Sequence, residues 1–280
     1  MSLPLSALPP ATTTGHTPPG MKHLALLLLL TGCPGPRPCT PITCDGCCTF
    51  ATPQPDSGGA EPDPGTCNRG NDVSACGTGA AVCSRCETNE TCSELRVCRG
   101  PDEPLPAGAK LVFATSLTFT GDLGGLDGGD AKCRDLAADA GLTGTFMAFL
   151  SDVTEQGQRL NAVERFTGNG PWVMRTRDAR GRVLRPFDDR ASLAAPPRSP
   201  VDQDETGHVF ALFDKRQVWT GTLLDGGAEL PAPMRDTTCR RWTSVATTGL
   251  YGIIDVPTEK WSGLGAVSCA SDNRLYCFEQ

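Results

Sequence analysis

"LVFATSLTFTGDLGGLDGGDAKCRDLAADAGLTGTFMAFLSD" (residues 111–152) is the stretch that decides the fold. Leu111–Ala114 is a short apolar run and reads as a strand. Thr120–Gly129, rich in Gly and Asp, reads as a loop. Asp130 is then placed to cap a helix N-terminus. Cys133, Leu136, Ala137 and Ala140 follow at i, i+3, i+4 and i+7, which puts them on one helical face. Gly141 stands where a helix commonly ends in a left-handed residue. "TFMAFLS" returns as a strand. Further along, "WVMRTRDARGRVLRPF" (172–187) reads as a hairpin turning at Asp178–Gly181, "QVWTGT" (217–222) as a strand with a buried Trp, and "RLYCFEQ" (274–280) as a terminal strand. The expectation is an α+β domain over residues 110–280.

The cysteines divide the rest of the chain. Residues 39–98 hold ten of the 15 cysteines, one Phe, and no Trp or Tyr; residues 110–280 hold four cysteines, all four tryptophans and both tyrosines. "RGPDEPLPAGA" (99–109) between them is a Pro/Gly/acidic linker of the stiff, extended kind. "ATPQPDSGGAEPDPG" (51–65) reads as a spacer inside the cysteine-rich part. The module at 44–98 has too few large apolar side chains for a core, so covalent staples must hold it. Ten cysteines allow hundreds of pairings, and the sequence selects none. "CDGC" (44–47) and "CSRC" (83–86) also have the ligand spacing of a zinc knuckle. The composition resembles cysteine-rich stalks of exported myxobacterial-type lipoproteins, which implies a protease-resistant spacer.

Compartment decides between thiols and disulfides. The run Leu24–Leu30 is seven apolar residues. A spanning helix needs roughly 20, whereas the core of a secretory signal needs roughly 7–15 behind a positive charge. Lys22 and His23 supply that flank directly after Met21. Residues 1–20 then read as an upstream extension, 21–32 as a signal peptide and 33–43 as a tether. "LTGC" (30–33) resembles the bacterial lipobox, which implies that Cys33 carries lipid and holds the chain on a membrane, the outer membrane of a bacterial envelope being the expected one. Without Cys33, fourteen cysteines remain of the 15, an even number suited to disulfides. The net charge of −7 argues against nucleic acid as a partner.

The stretch from 111 to 152, with "VWTGT", "CRRWTS" and "AVSCASDNRLYCFE", resembles the endostatin domain of collagens XV and XVIII and the endostatin-like outer-membrane proteins of spirochaetes. The resemblance covers most of residues 110–280, in order. It implies a C-type lectin-like fold with two helices, small mixed sheets and long loops. It also implies a nested pairing, Cys133–Cys277 and Cys239–Cys269, with Trp219 and Trp242 in the core. The calcium motifs of C-type lectins are missing, since "CRRWTS" (239–244) stands where Trp-Asn-Asp would. Asp122, Asp127 and Asp130 offer oxygen atoms, but no closing bidentate Glu follows them. Endostatin's zinc histidines have no counterpart among His16, His23 and His208. No metal and no cofactor are expected.

Catalytic signatures are also missing: there is no Gly-x-Ser-x-Gly elbow, His-Glu-x-x-His or phosphate loop. The chain is therefore expected not to be an enzyme. What remains is basic. Arg175, Arg177, Arg180, Arg182 and Arg185 fall within eleven residues, opposed there only by Asp178. On a hairpin, Arg175 and Arg177 would share one face and Arg180 and Arg182 would crowd the turn. Such a cluster suits a sulfated or carboxylated polysaccharide, gripped by guanidinium forks. The domain carries 19 basic and 22 acidic residues, so any anion site must be local. The expectation is a non-catalytic, surface-displayed lipoprotein whose head binds a matrix protein, a polysaccharide or another protein. The alternatives are a structural envelope protein and, more remotely, a hydrolase.

Overall fold

The structure is a computed structural model that describes residues 38–50, 63–211, 213–223, 226–228 and 236–280. The apolar run 24–30, Cys33 and most of the spacer at 51–65 lie outside the described residues. The chain divides between Arg37 and Pro38, and every described residue belongs to the second unit. Among the described residues, no helix is long and apolar enough to cross a membrane.

Residues 110–280 combine helix and strand. The strands of the main sheet are β1 (Lys110–Ala114), β2 (Phe146–Ala148), β3 (Trp172–Val173), β4 (Gln217–Trp219), β5 (Thr248–Ile253), β6 (Gly265–Ser268) and β7 (Arg274–Glu279), and Asp152–Val153 pairs separately with Arg159–Leu160. The main sheet has the order β3-β1-β7-β4-β5-β6, with β2 also paired to β7. The centre is β7. It runs antiparallel to β1, with Cys277 opposite Phe113, and antiparallel to β2, with Cys277 opposite Ala148. It runs parallel to β4, with Leu275 opposite Trp219.

Side chains of β7 alternate between two cores, as strand geometry requires. Tyr276 and Phe278 enter one core with Val112, Phe149, Phe166, Trp172, Phe187 and Trp261. Leu275 and Cys277 enter the other with Phe113, Phe146, Trp219, Trp242 and the disulfide cysteines. All four tryptophans are buried, Trp219 and Trp242 completely. Their indole N–H groups donate to the carbonyls of Phe119 (2.8 Å) and Ser151 (3.0 Å), so neither ring hides an unsatisfied donor. Burial also pushes the Tyr276 hydroxyl pKa well above its ordinary value.

Helix α1 runs Gly125–Asp139 and packs on β2 and β7. Its end matches the sequence pattern. Gly141 has φ +70° and donates to Ala138 O, and Leu142 N donates to Ala137 O, which is the Schellman arrangement. Its start does not match. The helix begins five residues before Asp130, within the stretch that composition marks as loop. Packing accounts for the glycines. A Cβ on Gly128 would lie 2.0 Å from Leu123 O, and one on Gly129 would lie 2.7 Å from Leu150 Cδ1.

Asp130 is therefore no cap. Its Oδ1 accepts from Ala148 N (2.8 Å) and its Oδ2 meets Arg165 Nη2 (2.6 Å), with both side chains only 8% exposed. Arg165 sits on a second, short helix, α2 (Ala162–Arg165), and donates onward to Ala148 O and Leu150 O. One buried ion pair thus joins α1, β2 and α2. The segment 172–187 is a loose hairpin: only Trp172–Val173 is strand, and the return limb is held by single bonds from Trp172 N to Phe187 O and from Met174 N to Leu184 O.

All ten cysteines of the amino-terminal module are bridged: Cys39–Cys48, Cys44–Cys67, Cys47–Cys83, Cys76–Cys92 and Cys86–Cys98. Both pairs with zinc-knuckle spacing are consumed in these bridges. Buried sulfur replaces an apolar core here, for Cys44, Cys47, Cys48 and Cys76 are within 1% of full burial while Val82 and Leu95 are 70% exposed. The first bridge also corrects a boundary. Cys39, counted with the tether at 33–43, belongs to the module. In the head the bridges are Cys133–Cys277 and Cys239–Cys269, the pairs that the resemblance implies.

The buried pair separates two roles for Asp130. Losing an N-cap costs about 1 kcal/mol. Removing one partner of a buried ion pair costs about 3–5 kcal/mol. Asp130→Ala should fall in the larger range in urea unfolding. A loss near 1 kcal/mol would mean that the pair with Arg165 contributes nothing.

Candidate functional site

The structure disperses the arginines at 175–185. Arg175 Nη1 donates to Ala140 O (3.2 Å) and Glu205 O (2.6 Å). Arg177 turns to the linker, and its Nε (3.1 Å) and Nη2 (2.8 Å) both donate to Glu103 O. Arg182 closes on Asp178 at 2.8 Å and Arg185 on Asp188 at 3.1 Å. Arg180 keeps a guanidinium with no partner among the described residues. The expected shared face of Arg175 and Arg177 does not form, and Asp188 joins Asp178 as a counter-charge. Carbonyls distant in sequence take the donors, and no local pattern announces them.

Asp178 organises the turn. Its carboxylate accepts from the amides of Arg180 and Arg182, both at 2.9 Å, and from Arg182 Nε. Partial burial raises its pKa, but these donors outweigh burial and hold it below the ordinary carboxylate value.

His208 is exposed over 66% of its side chain, with Nδ1 3.8 Å from Asp204. The other Asp204 oxygen is committed to Thr206 and to the His208 amide. Asp130, one of three aspartates weighed for calcium, is directed inward to Arg165.

A charged cleft of about 390 Å³ lies elsewhere, between the start of α1 and the segment 239–243. It is lined by Gly124, just ahead of α1, by Gly125 and Asp127 from the first turn, and by Asp152, Arg240 and Arg241. The segment Cys239–Trp242 forms one helical turn of the wrong hand. Its four φ angles are +52°, +49°, +60° and +62°, and none of the four residues is glycine. Left-handed helix costs roughly 1–2 kcal/mol per L-residue.

Identifiable contacts hold that turn. Trp242 N donates to Thr238 O (2.7 Å), and Thr243 N to Cys239 O (3.0 Å). The Asp236 carboxylate accepts from Thr238 N (2.9 Å) and Arg240 N (2.6 Å). Trp242 O accepts from Leu123 N and Gly124 N, which docks the turn on the approach to α1. Cys239 is tied to Cys269, and the Trp242 ring is fully buried.

Arg240 and Arg241, both on the left-handed turn, line the cleft. Arg241 Nη1 meets Glu155 at 2.9 Å, and its Nε lies 3.5 Å from Asp152 Oδ2. Arg240 is exposed and its guanidinium has no partner among the described residues. Asp152 is nearly buried, and its Oδ1 accepts from Val153 N (2.7 Å). Burial raises the Asp152 pKa above 3.8, against the opposing pull of the Val153 amide and of Arg241.

In sequence, "CRRWTS" registers only as a departure from a calcium motif, which leaves Arg240 and Arg241 unmarked. The available signal is two adjacent arginines between a disulfide cysteine and a core tryptophan, a place where the backbone is pinned on both sides. No protein-family model matches the chain, and no curated protein matches it either.

The strain can be measured. Glycine adopts the φ +49°, ψ +58° of residue 240 without a Cβ conflict. Arg240→Gly should therefore raise stability by about 1 kcal/mol, seen as a higher midpoint in thermal or urea unfolding. A lower midpoint would show that the Arg240 side chain supports the fold and that the turn is not held against strain.

Proposed function

We propose that the chain is an exported lipoprotein, anchored through Cys33, whose head binds an extracellular anionic polysaccharide without catalysing a reaction. The head is read as a C-type lectin-like domain of the endostatin type, and the module at 39–98 as its disulfide-stapled stalk. The full pairing of the described cysteines supports an oxidising compartment.

One observation carries the binding reading. Four non-glycine residues are kept in a costly conformation that leaves Arg240 exposed at the cleft, its guanidinium without an ion-pair or hydrogen-bond partner among the described residues, although Asp127 and Asp152 share the lining. Backbone strain of this kind persists where the surroundings over-determine it, and it concentrates at ligand sites. A guanidinium fork matches a carboxylate or sulfate with two parallel hydrogen bonds. The first turn of α1 adds partial positive charge at the same place. The lining is charged and nearly free of apolar side chains. That suits a hydrated sugar acid better than a protein surface, whose contact core is apolar.

The full chain in detergent, applied to an array of carboxylated, sulfated and neutral saccharides, tests this. Binding should be confined to the anionic set. Charged hydrogen bonds contribute about 1.5–3 kcal/mol, so Arg240→Ser should lower affinity by roughly 10- to 150-fold. Undiminished binding by that variant, or binding to an acidic protein and to no saccharide, would overturn the reading.

Asp152 gives the pH dependence its sign. Its folded-state pKa is raised, so the folded chain holds the proton more tightly than the unfolded chain. As pH falls through that raised value, Asp152 loses its charge and its claim on Arg241, and affinity for an anion should rise. Asp152→Asn should show the higher affinity already at neutral pH and a flatter profile below it. It should also gain stability at neutral pH and none below about pH 3.8, where Asp is protonated in both states. Affinity that falls with pH in the wild type would contradict this.

The anchor has its own test. Cys33→Ala should abolish labelling by an alkyne fatty acid and release the chain from the membrane fraction. Labelling that persists would exclude Cys33 as the lipid site.

A further inference from the structure

Composition marks residues 99–109 as a spacer, yet the linker lies against the arginine-rich loop. Glu103 meets that loop through every polar group it has. Its N–H donates to Gly181 O (2.9 Å), its carbonyl accepts both donors of Arg177, and its Oε2 accepts from Val183 N (2.8 Å). The neighbouring Asp102 is turned back onto Arg99 at 2.6 Å. The loop fits the linker closely. Gly181 is buried at φ +84°, and a Cβ there would stand 3.2 Å from both Asp102 Oδ1 and Gly100 O. Asp178 holds the loop in the shape that presents Gly181 O and Val183 N side by side.

The contact has the pattern of strand addition at a single residue. Main-chain donor meets acceptor, and one side-chain pocket chooses the residue. The loop supplies a backbone acceptor, a backbone donor aimed at a carboxylate, and a guanidinium for the carbonyl. Arg177 is therefore taken up by an uncharged carbonyl, and its charge is not cancelled there.

We propose that the loop 177–183 is a docking surface for one extended residue whose side-chain oxygen reaches the Val183 amide, and that Glu103 occupies it as a latch between the disulfide module and the head. With the latch closed, the module and the head move as one body. With it open, residues 99–109 become the detached spacer that their composition describes. This surface is separate from the cleft at Arg240, so neither proposal depends on the other.

Hydrogen exchange of the full chain, read by mass spectrometry at residues 100–110 and 178–186, tests the latch. In the wild type the Glu103 and Val183 amides should exchange at least tenfold more slowly than in Glu103→Ala. Glu103→Gln keeps an amide oxygen for Val183 N and should retain most of the protection. Arg177→Ala should expose the Glu103 amide while Cys133 and Cys277 stay bridged and the β7 amides stay protected, which separates an open latch from an unfolded head. Equal exchange in wild type and Glu103→Ala would overturn the proposal, as would loss of protection in Glu103→Gln equal to that in Glu103→Ala. Arg240→Ser should leave these rates unchanged, so failure at the cleft and failure of the latch are told apart.

Discussion

The head depends on one strand being inserted between two cores. Arg274–Glu279 pairs with β1 on one edge and with β2 and β4 on the other, and its side chains feed both cores alternately. A one-residue slip would exchange Tyr276 and Phe278 with Leu275 and Cys277, and so place aromatic rings where the disulfide core has room only for sulfur and Leu. The Cys133–Cys277 bridge prevents that slip. It fixes register at the middle of the strand and spans 144 residues. On the chain-entropy model a closed loop of that size contributes about 5 kcal/mol, the largest share any bridge in this chain can supply. Helix α1 is held from two sides, by Cys133 to β7 and by Asp130 to β2 and α2. Most of these contacts join residues far apart in sequence, so the unfolded chain gains little from any one of them before β7 is in place.

Sequence is informative where a local rule decides the outcome. Short apolar and aromatic runs locate β1, β2, β4 and β7, and the helical face is legible because Cys133 and Ala137 are buried together. Cysteine parity foretells full pairing without identifying pairs inside the module, since ten cysteines with no apolar core leave sequence nothing to rank them by. The start of α1 is misleading because glycine usually signals a turn, while Gly128 and Gly129 are there for close packing against Leu123 and Leu150. The arginine hairpin misleads for a related reason. A guanidinium is charged in any sequence, but whether it is free depends on which carbonyls the fold brings to it. Ala140 O, Glu205 O and Glu103 O come from three separate segments.

The left-handed turn is the least legible feature, and physics explains why. Local preference for φ > 0 belongs to Gly, Asn and Asp. Cys239, Arg240, Arg241 and Trp242 have none of it, so the conformation is imposed from outside the segment. The imposing contacts are the Cys269 bridge, the Asp236 carboxylate, the burial of Trp242 and the two amides ahead of α1. Those contacts belong to the residues flanking the two arginines and to the turn's backbone, and the Arg240 side chain takes no part in them. The fold holds the turn by its ends, and the strain is transmitted to a residue whose side chain is left to solvent. A fold optimised for stability alone would carry glycine at that position. On the binding reading proposed above, the Arg240 guanidinium would have a use that offsets about 1 kcal/mol of backbone cost.

Charge placement supports the same conclusion. The head has a small acidic excess, and most of its arginines are engaged by carboxylates or carbonyls of the same chain. With long-range attraction for anions weak, the anionic ligand proposed above would have to be recognised at contact distance by groups that the fold has left uncommitted. Among the described residues Arg240, like Arg180, meets that condition, and it shares its cleft with Asp152, whose charge burial disfavours. On the proposed reading, an uncommitted guanidinium that shares a cleft with a carboxylate whose pKa burial raises would make a site whose net charge moves with pH while the Cys239–Cys269 bridge holds the backbone. Rigid backbone and adjustable charge are separable here because the strain resides in the main chain of 239–242 and the titration resides in a side chain of a neighbouring segment.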